Sequence, residues 1–301
     1  MQVVWIGLSL LAVVLVAAAL VYRKKDPQEV TKSMYLEKKS ERPALTGKKV
    51  LLIGNSYGDD TVRYVPYIAK NLGVKNFVVA NVFLGGCTLE GHVENYEKNA
   101  PAYIYRKADE NGWVFRDKST LSYTLDDEDW DLVIFQQASG ETADYSTYQP
   151  HLNKLLGIVR SRLTDVRFGF DMTWAYPVYS RDERFAYYDN DQMKMYEAIA
   201  KVMTEHIEPG FTFEFVVPVG TAVQNARALC GDQLCRDDIH LSVKGRYLAG
   251  VMFVKEVFGV SLGALSYAPE GVERADIDLF VKAVEAAYAE PYNATGGKKA
   301  E

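Results

Sequence analysis

Apolar and polar positions divide the chain into an uninterrupted apolar head, a charged stretch and a long alternating body. Val3 to Tyr22 carries no charge and is almost wholly apolar, a length that suits a membrane-spanning helix. From Lys49 onward, short apolar runs alternate with helical periodicity. Val50–Ile53 reads as a buried strand and runs straight into Gly54-Asn55-Ser56. A helical pattern follows from about Asp59 to Leu72, with Gly73 placed to cap it. Phe77–Val82 is a second strand, followed by Leu84-Gly85-Gly86-Cys87 and a helix from about Thr88. Asp131–Phe135 is a third, ending in Gln136-Gln137, and Arg167–Met172 is a fourth, running into Thr173-Trp174. An amphipathic helix covers about Asp191–His206, and Phe213–Val217 is a fifth strand. Further helices start near Ser242 and span about Ala275–Ala289.

Short apolar strands alternating with helices predict an α/β fold whose mostly parallel sheet is covered on both faces. Ligands of such sheets sit beyond the carboxyl ends of the strands. Ser56, Gly85-Gly86, Gln136-Gln137 and Trp174 all fall at those ends. Two segments fit no single element. Ala102–Asp129 holds Trp113, Phe115 and Tyr123 among polar residues and suggests a small hairpin beside the sheet. Tyr176–Asp189, dense in Tyr, Arg and Asp, is a candidate substrate wall with Trp174 and Tyr176, or a surface loop.

The length of 301 residues accommodates one domain of roughly 250 residues plus an N-terminal appendage. We divide it into an anchor or signal segment at 1–22, a charged linker at 23–47, the folded domain at 48–292 and a tail at 293–301. The apolar head lacks a basic n-region and a small-x-small cleavage site, which favours an anchor over a cleaved signal. Arg23-Lys24-Lys25 after the span would by the positive-inside rule leave the domain in the cytoplasm. A polymeric substrate and a Cys230–Cys235 pairing would instead place it outside. The net charge of −6 disfavours nucleic acid as the main partner. The three cysteines form neither a zinc spacing nor a Cys-x-x-Cys redox motif, and no metal or organic cofactor is called for.

A serine at a strand-to-helix turn is well placed as a nucleophile, because backbone N–H groups there can bind the oxyanion it creates. Ser56 would equally serve as a helix cap. A nucleophilic serine needs a base, and the base an orienting acid. Of the four histidines, His240 lies in a polar loop, Cys235-Arg-Asp-Asp-Ile-His-Leu-Ser242, with Asp237 three residues before it. Across a tight turn, that spacing brings both side chains to one side, whereas Asp238 is the better candidate for shaping the turn.

Gly54-Asn55-Ser56, Gly86, Gln137 and Asp237-x-x-His240, in that order, resemble the four blocks of the SGNH (GDSL-like) esterase and lipase superfamily over roughly Lys48 to Gly259. The resemblance implies a flavodoxin-like three-layer α/β/α sandwich with a five-stranded sheet, and a Ser56–His240–Asp237 esterase. It also implies an oxyanion hole built from the N–H groups of Ser56 and Gly86 and the Gln137 side chain, with Gln136 in reserve. Two positions depart from the family pattern. Asn55 stands where the first block usually has aspartate, and Gln136-Gln137 where the third block usually gives asparagine. The expected activity is hydrolysis of acetyl or other short acyl esters, on a carbohydrate. A lipase or lysophospholipase, and a non-catalytic carbohydrate-binding protein on the same fold, are the alternatives. A phosphate loop at Gly54–Gly58 ranks below them, since no lysine opens the helix.

Overall fold

The computed structural model describes residues 47–209 and 212–295. The expected anchor and most of the linker therefore lie outside the described residues. Among the described residues, no helix is long and apolar enough to cross a membrane.

The first apolar run forms β1 (Lys49–Gly54), and Val50 to Ile53 are fully buried. It pairs in parallel with β2 (Val78–Phe83) on one side and β5 (Leu132–Phe135) on the other. A strand flanked on both edges and covered on both faces must be apolar throughout, which is why this run does not alternate. β6 (Arg167–Asp171) and β7 (Phe215–Val217) extend the parallel part.

The sheet has seven strands, in the order β4-β3-β2-β1-β5-β6-β7, not five. The additional pair is the antiparallel hairpin β3 (Tyr103–Asp109) and β4 (Gly112–Ser119), which joins the sheet along β2. Its strands escape a hydrophobicity reading because the outer one, β4, is exposed along most of its length. The apolar residues of β4, Trp113, Val114 and Phe115, form one short run before the polar Arg116 to Ser119, and Val114 and Phe115 are exposed, so no buried face marks the strand.

The helical pattern after β1 is broken into α1 (Ser56–Val62) and α2 (Val65–Asn71). Pro66 lacks an N–H to continue the first helix but suits the first turn of the second. The remaining helices are α3 (Leu89–Glu97), α4 (Leu121–Asp126), α5 (His151–Arg162), α6 (Gln192–Val202), α7 (Val219–Cys230), α8 (Val243–Phe258) and α9 (Arg274–Ala289). Helix α8 packs against α1, α2, α7 and α9, and α3 packs against α4 and α5. The end of β5 shows that these two groups cover opposite faces. Gln136 lies against Gly58 of α1, while the next residue, Gln137, receives the N–H of Leu89 in α3.

Candidate active site

The turn after β1 is held by Asn55. Its backbone is extended, with φ −136° and ψ −150°, and its Oδ1 accepts the N–H of Tyr57 to cap α1. Its Nδ2 donates to the carbonyl of Cys87 at 3.1 Å. An aspartate could cap the helix but has no donor for Cys87. Asparagine therefore fastens the loop after β2 to the Ser56 turn. Gly58 is required for a second reason: a Cβ there would run into Leu52 and the Gln136 Oε1 beneath it.

Ser56 Oγ lies 2.9 Å from His240 Nε2. The histidine belongs to a short loop pinched by a bridge between Cys235 and Leu241 and by the Arg236 N–H donating to the His240 carbonyl at 2.9 Å. Asp237 Oδ2 is 3.0 Å and Oδ1 3.2 Å from His240 Nδ1. Oδ1 also accepts the N–H groups of Ile239 at 2.9 Å and His240 at 2.7 Å. Partial burial pushes the Asp237 carboxyl up, but those N–H groups and the imidazole outweigh it and hold it below the ordinary carboxylate range. Asp238 instead accepts the N–H of Arg181 at 3.0 Å.

Trp174 and Tyr176 do not form a substrate wall. Both are fully buried. The Trp174 indole N–H donates to the Ile239 carbonyl at 2.9 Å, and its ring stacks on Tyr57 at 4.0 Å. Tyr57 in turn presents its edge to the His240 ring at 6.0 Å. The aromatic pair is thus the floor of the histidine loop. A large ring at a strand end buries its apolar body wherever a loop covers it, and residue type alone does not report that cover.

The loop after β2 turns at Leu84–Cys87, where the Cys87 N–H donates to the Leu84 carbonyl at 3.1 Å. Gly86 sits at φ +67° with nothing near its Cβ position, so its backbone is open to solvent. Gln137 departs from expectation. Its Oε1 accepts the N–H groups of Leu89 at 3.1 Å and Ala138 at 2.8 Å. Its Nε2 donates to the Thr147 carbonyl and hydroxyl at 3.3 and 3.0 Å. The amide nitrogen is therefore committed to Thr147 instead of being free toward Ser56. Gln136 is committed too: its Nε2 donates to Asp171 Oδ2 at 2.7 Å. Gln137 ties the start of α3, and with it the glycine loop, to the segment after β5.

A cleft of about 300 Å³ opens beside the histidine, lined by Arg181, Asp182, Asp237, Asp238, Ile239 and His240. The neighbouring thiol and the other histidine near the turn are chemically quiet. Burial pushes the Cys87 thiol up to about 12 and the His92 imidazole down to about 4. His92 Nδ1 lies 3.1 Å from the Tyr103 hydroxyl. Cys230 and Cys235 are free thiols, not a disulfide. Among the described residues, no group of His, Cys, Asp and Glu side chains could hold a metal ion. Sequence reasoning missed the roles of Asn55 and Trp174. It also missed Asp60, which is 1% exposed and salt-bridged to Arg236 and Arg246. The available signal was a carboxylate four residues after Ser56 on the buried face of a helix.

No curated protein matches this chain. Among solved structures, a protein from Slackia heliotrinireducens described as a candidate SGNH hydrolase is 20% identical, with a TM-score of 0.47, covering 70% of this chain and 100% of its own. An alpha/beta hydrolase enzyme from the metagenome of Lake Arreo is 14% identical, with a TM-score of 0.42, covering 74% and 98%. Neither likeness is close enough to speak for activity. A DUF4886 family protein from Bacteroides uniformis is 33% identical, with a TM-score of 0.78, covering 83% of this chain and 98% of its own. Residues 49–289 match the family model described as "Domain of unknown function (DUF4886)", and this chain belongs to that family.

Proposed function

We propose that the protein is a serine esterase that removes short acyl groups, acetyl first among them, from a carbohydrate. The observation that carries this reading is the continuous line from Ser56 Oγ through His240 Nε2 and Nδ1 to the Asp237 carboxylate. In this mechanism His240 takes the Ser56 proton as Oγ attacks the ester carbonyl. Asp237, ionised and fixed by two N–H groups, keeps the Nδ1 proton in place and stabilises the imidazolium. The oxyanion takes hydrogen bonds from the N–H groups of Ser56 and Gly86. His240 then protonates the departing alcohol, leaving an acyl-Ser56. Water, deprotonated by His240, attacks that ester, and His240 returns the proton to Ser56 Oγ as the acyl–oxygen bond breaks and the acid leaves.

The polar lining of the cleft beside His240 supports a hydrophilic alcohol in preference to a long acyl chain, which would need apolar walls. Tethering through residues 1–22, with the domain outside the cytoplasm, is part of the same proposal. The uncharged run from Val3 to Tyr22 supports the tether, and the polymeric ester substrate supports the outer side. The direct test is Ser56→Ala assayed on an aryl acetate. The expected result is a loss on the order of a thousandfold or more with the fold intact. A folded Ser56→Ala variant with undiminished turnover would remove the esterase reading.

A further inference from the structure

Helix α1 carries a second functional group besides Ser56. Asp60 lies one turn further on, so the two residues share a face. Its carboxylate is buried, and every hydrogen bond it accepts comes from the region around His240. Oδ2 accepts the N–H of Leu241, the residue after the histidine, at 2.8 Å. Arg236, which opens the histidine loop, donates from Nη1 to Oδ1 and Oδ2 at 3.1 and 3.0 Å. The same Nη1 donates to the Leu241 carbonyl. Arg246, in the first turn of α8, donates from Nε to Oδ1 at 2.6 Å. Asp237, by contrast, leaves 47% of its side chain exposed and fixes only its own loop. The loop meets α1 through the Asp60 hydrogen bonds and through Trp174, which donates to Ile239 and stacks on Tyr57.

We infer that Asp60, clamped by Arg236 and Arg246, is the positioning residue that sets the spacing between Ser56 and His240. The inference rests on the esterase reading above and adds to it a residue that touches neither substrate nor reacting atoms. A single rigid helical turn separates the nucleophile from the anchor of its base. Removing a carboxylate that two guanidinium groups share leaves two partly buried positive charges facing each other, and the loop loses its polar attachment to α1.

The clamp also sets the charge around the imidazole. The charged groups near His240 are Asp60 on α1, Arg236, Asp237 and Asp238 in its own loop, Arg181 and Asp182 after β6, and Arg246 on α8. Asp60 with its two arginines carries one net positive charge. Asp60→Asn raises that to two and disfavours the imidazolium. Arg236→Gln lowers it to zero and favours the imidazolium.

The test is steady-state hydrolysis of an aryl acetate by the full chain across pH, with the folded fraction of each variant read from its near-UV circular dichroism and thermal unfolding. Asp60→Asn is expected to lower kcat about a hundredfold, the effect of a misplacement near 1 Å, while KM changes only a few-fold. The acidic limb of its kcat/KM profile should move to lower pH, because the added net positive charge opposes the imidazolium. Arg236→Gln, at a partly exposed position, should move that limb to higher pH. Asp60→Glu keeps the charge but displaces the loop, so it should lower kcat without moving the limb. Opposite movements of the limb in Asp60→Asn and Arg236→Gln are what a general loss of stability would not produce. Wild-type kcat and an unmoved limb in both variants would overturn the inference. Should Asp60→Asn fail to accumulate folded, an unmoved limb in Arg236→Gln alone would overturn it. Ser56→Ala, run alongside, separates the two claims. Full turnover there removes the esterase reading and the clamp with it, whereas its loss combined with indifferent clamp variants removes the clamp alone.

Discussion

Replacing Asp237 by asparagine should disable the protein without unfolding it, and the hydrogen bonds show why. Oδ1 accepts two backbone N–H groups, from Ile239 and His240. In Asp237→Asn the carbonyl oxygen keeps that place, because an N–H₂ there would oppose two donors. The N–H₂ is then forced toward His240 Nδ1, now 3.0 Å from Oδ2. A donor at that point requires the Nδ1 lone pair, so the ring proton moves to Nε2. Nε2 faces Ser56 Oγ at 2.9 Å and can no longer accept the hydroxyl proton. The loss should be roughly 10³- to 10⁴-fold in kcat, or about 4–5.5 kcal/mol of transition-state stabilisation. KM should change little, because the amide keeps the size and polarity of the cleft wall that Asp237 lines. The unfolding midpoint should stay near wild type, since both backbone N–H groups remain satisfied. Asp238→Asn keeps an acceptor for Arg181 and should cost only a few-fold. Aryl acetate kinetics, with folding checked by near-UV circular dichroism and thermal unfolding, would decide. A near-normal kcat in folded Asp237→Asn, with a thousandfold loss in Asp238→Asn, would refute the reasoning.

Three further outcomes are expected. Gln137→Ala should lower the thermal midpoint together with kcat, because it orphans the Leu89 and Ala138 N–H groups that seat the glycine loop; a lower kcat at an unchanged midpoint would return Gln137 to direct donation. Asp171→Asn should stabilise the fold at pH 8. Burial pushes this carboxyl up to about 7 despite the donors Thr61 and Gln136, so the folded state holds a proton that the unfolded state releases. Its stability is therefore fully present below about pH 4 and declines as pH rises to about 7, a difference of up to about 4 kcal/mol. Denaturant titrations at pH 5 and pH 8 would show the slope flattened in the variant, and no gain at pH 8 would count against it. Protease added to intact cells should digest the folded domain of the full chain, and complete protection would reject the extracytoplasmic placement.

The parallel strands and the positions of Ser56, Asp237 and His240 were legible because each has a local signature. Fully buried strands are apolar on both faces, and a histidine three residues after an aspartate in a polar loop needs no distant partner to be noticed. The hairpin β3–β4 was not resolved into strands because its outer strand lies at the sheet edge and need not be apolar. The commitments of Gln137 were invisible because they depend on Leu89 and Thr147, which chain direction alone does not bring together. Trp174 and Tyr176 were misassigned to a wall for the same reason: their cover comes from elements remote in sequence. Asp60 was overlooked because its partners Arg236 and Arg246 lie 176 and 186 residues away.

That separation bears on how the protein is made. Ser56 belongs to the first strand-helix unit, and the histidine it meets lies 184 residues later. At ribosomal rates of about 5–20 residues per second, the nucleophile turn exists for roughly ten to forty seconds before its base has been synthesised. On the proposed mechanism, a nascent chain would be chemically inert through most of its translation. On the proposed esterase reading, turnover would begin only once the His240 loop has docked on α1, which would make turnover itself a clock for the completion of folding.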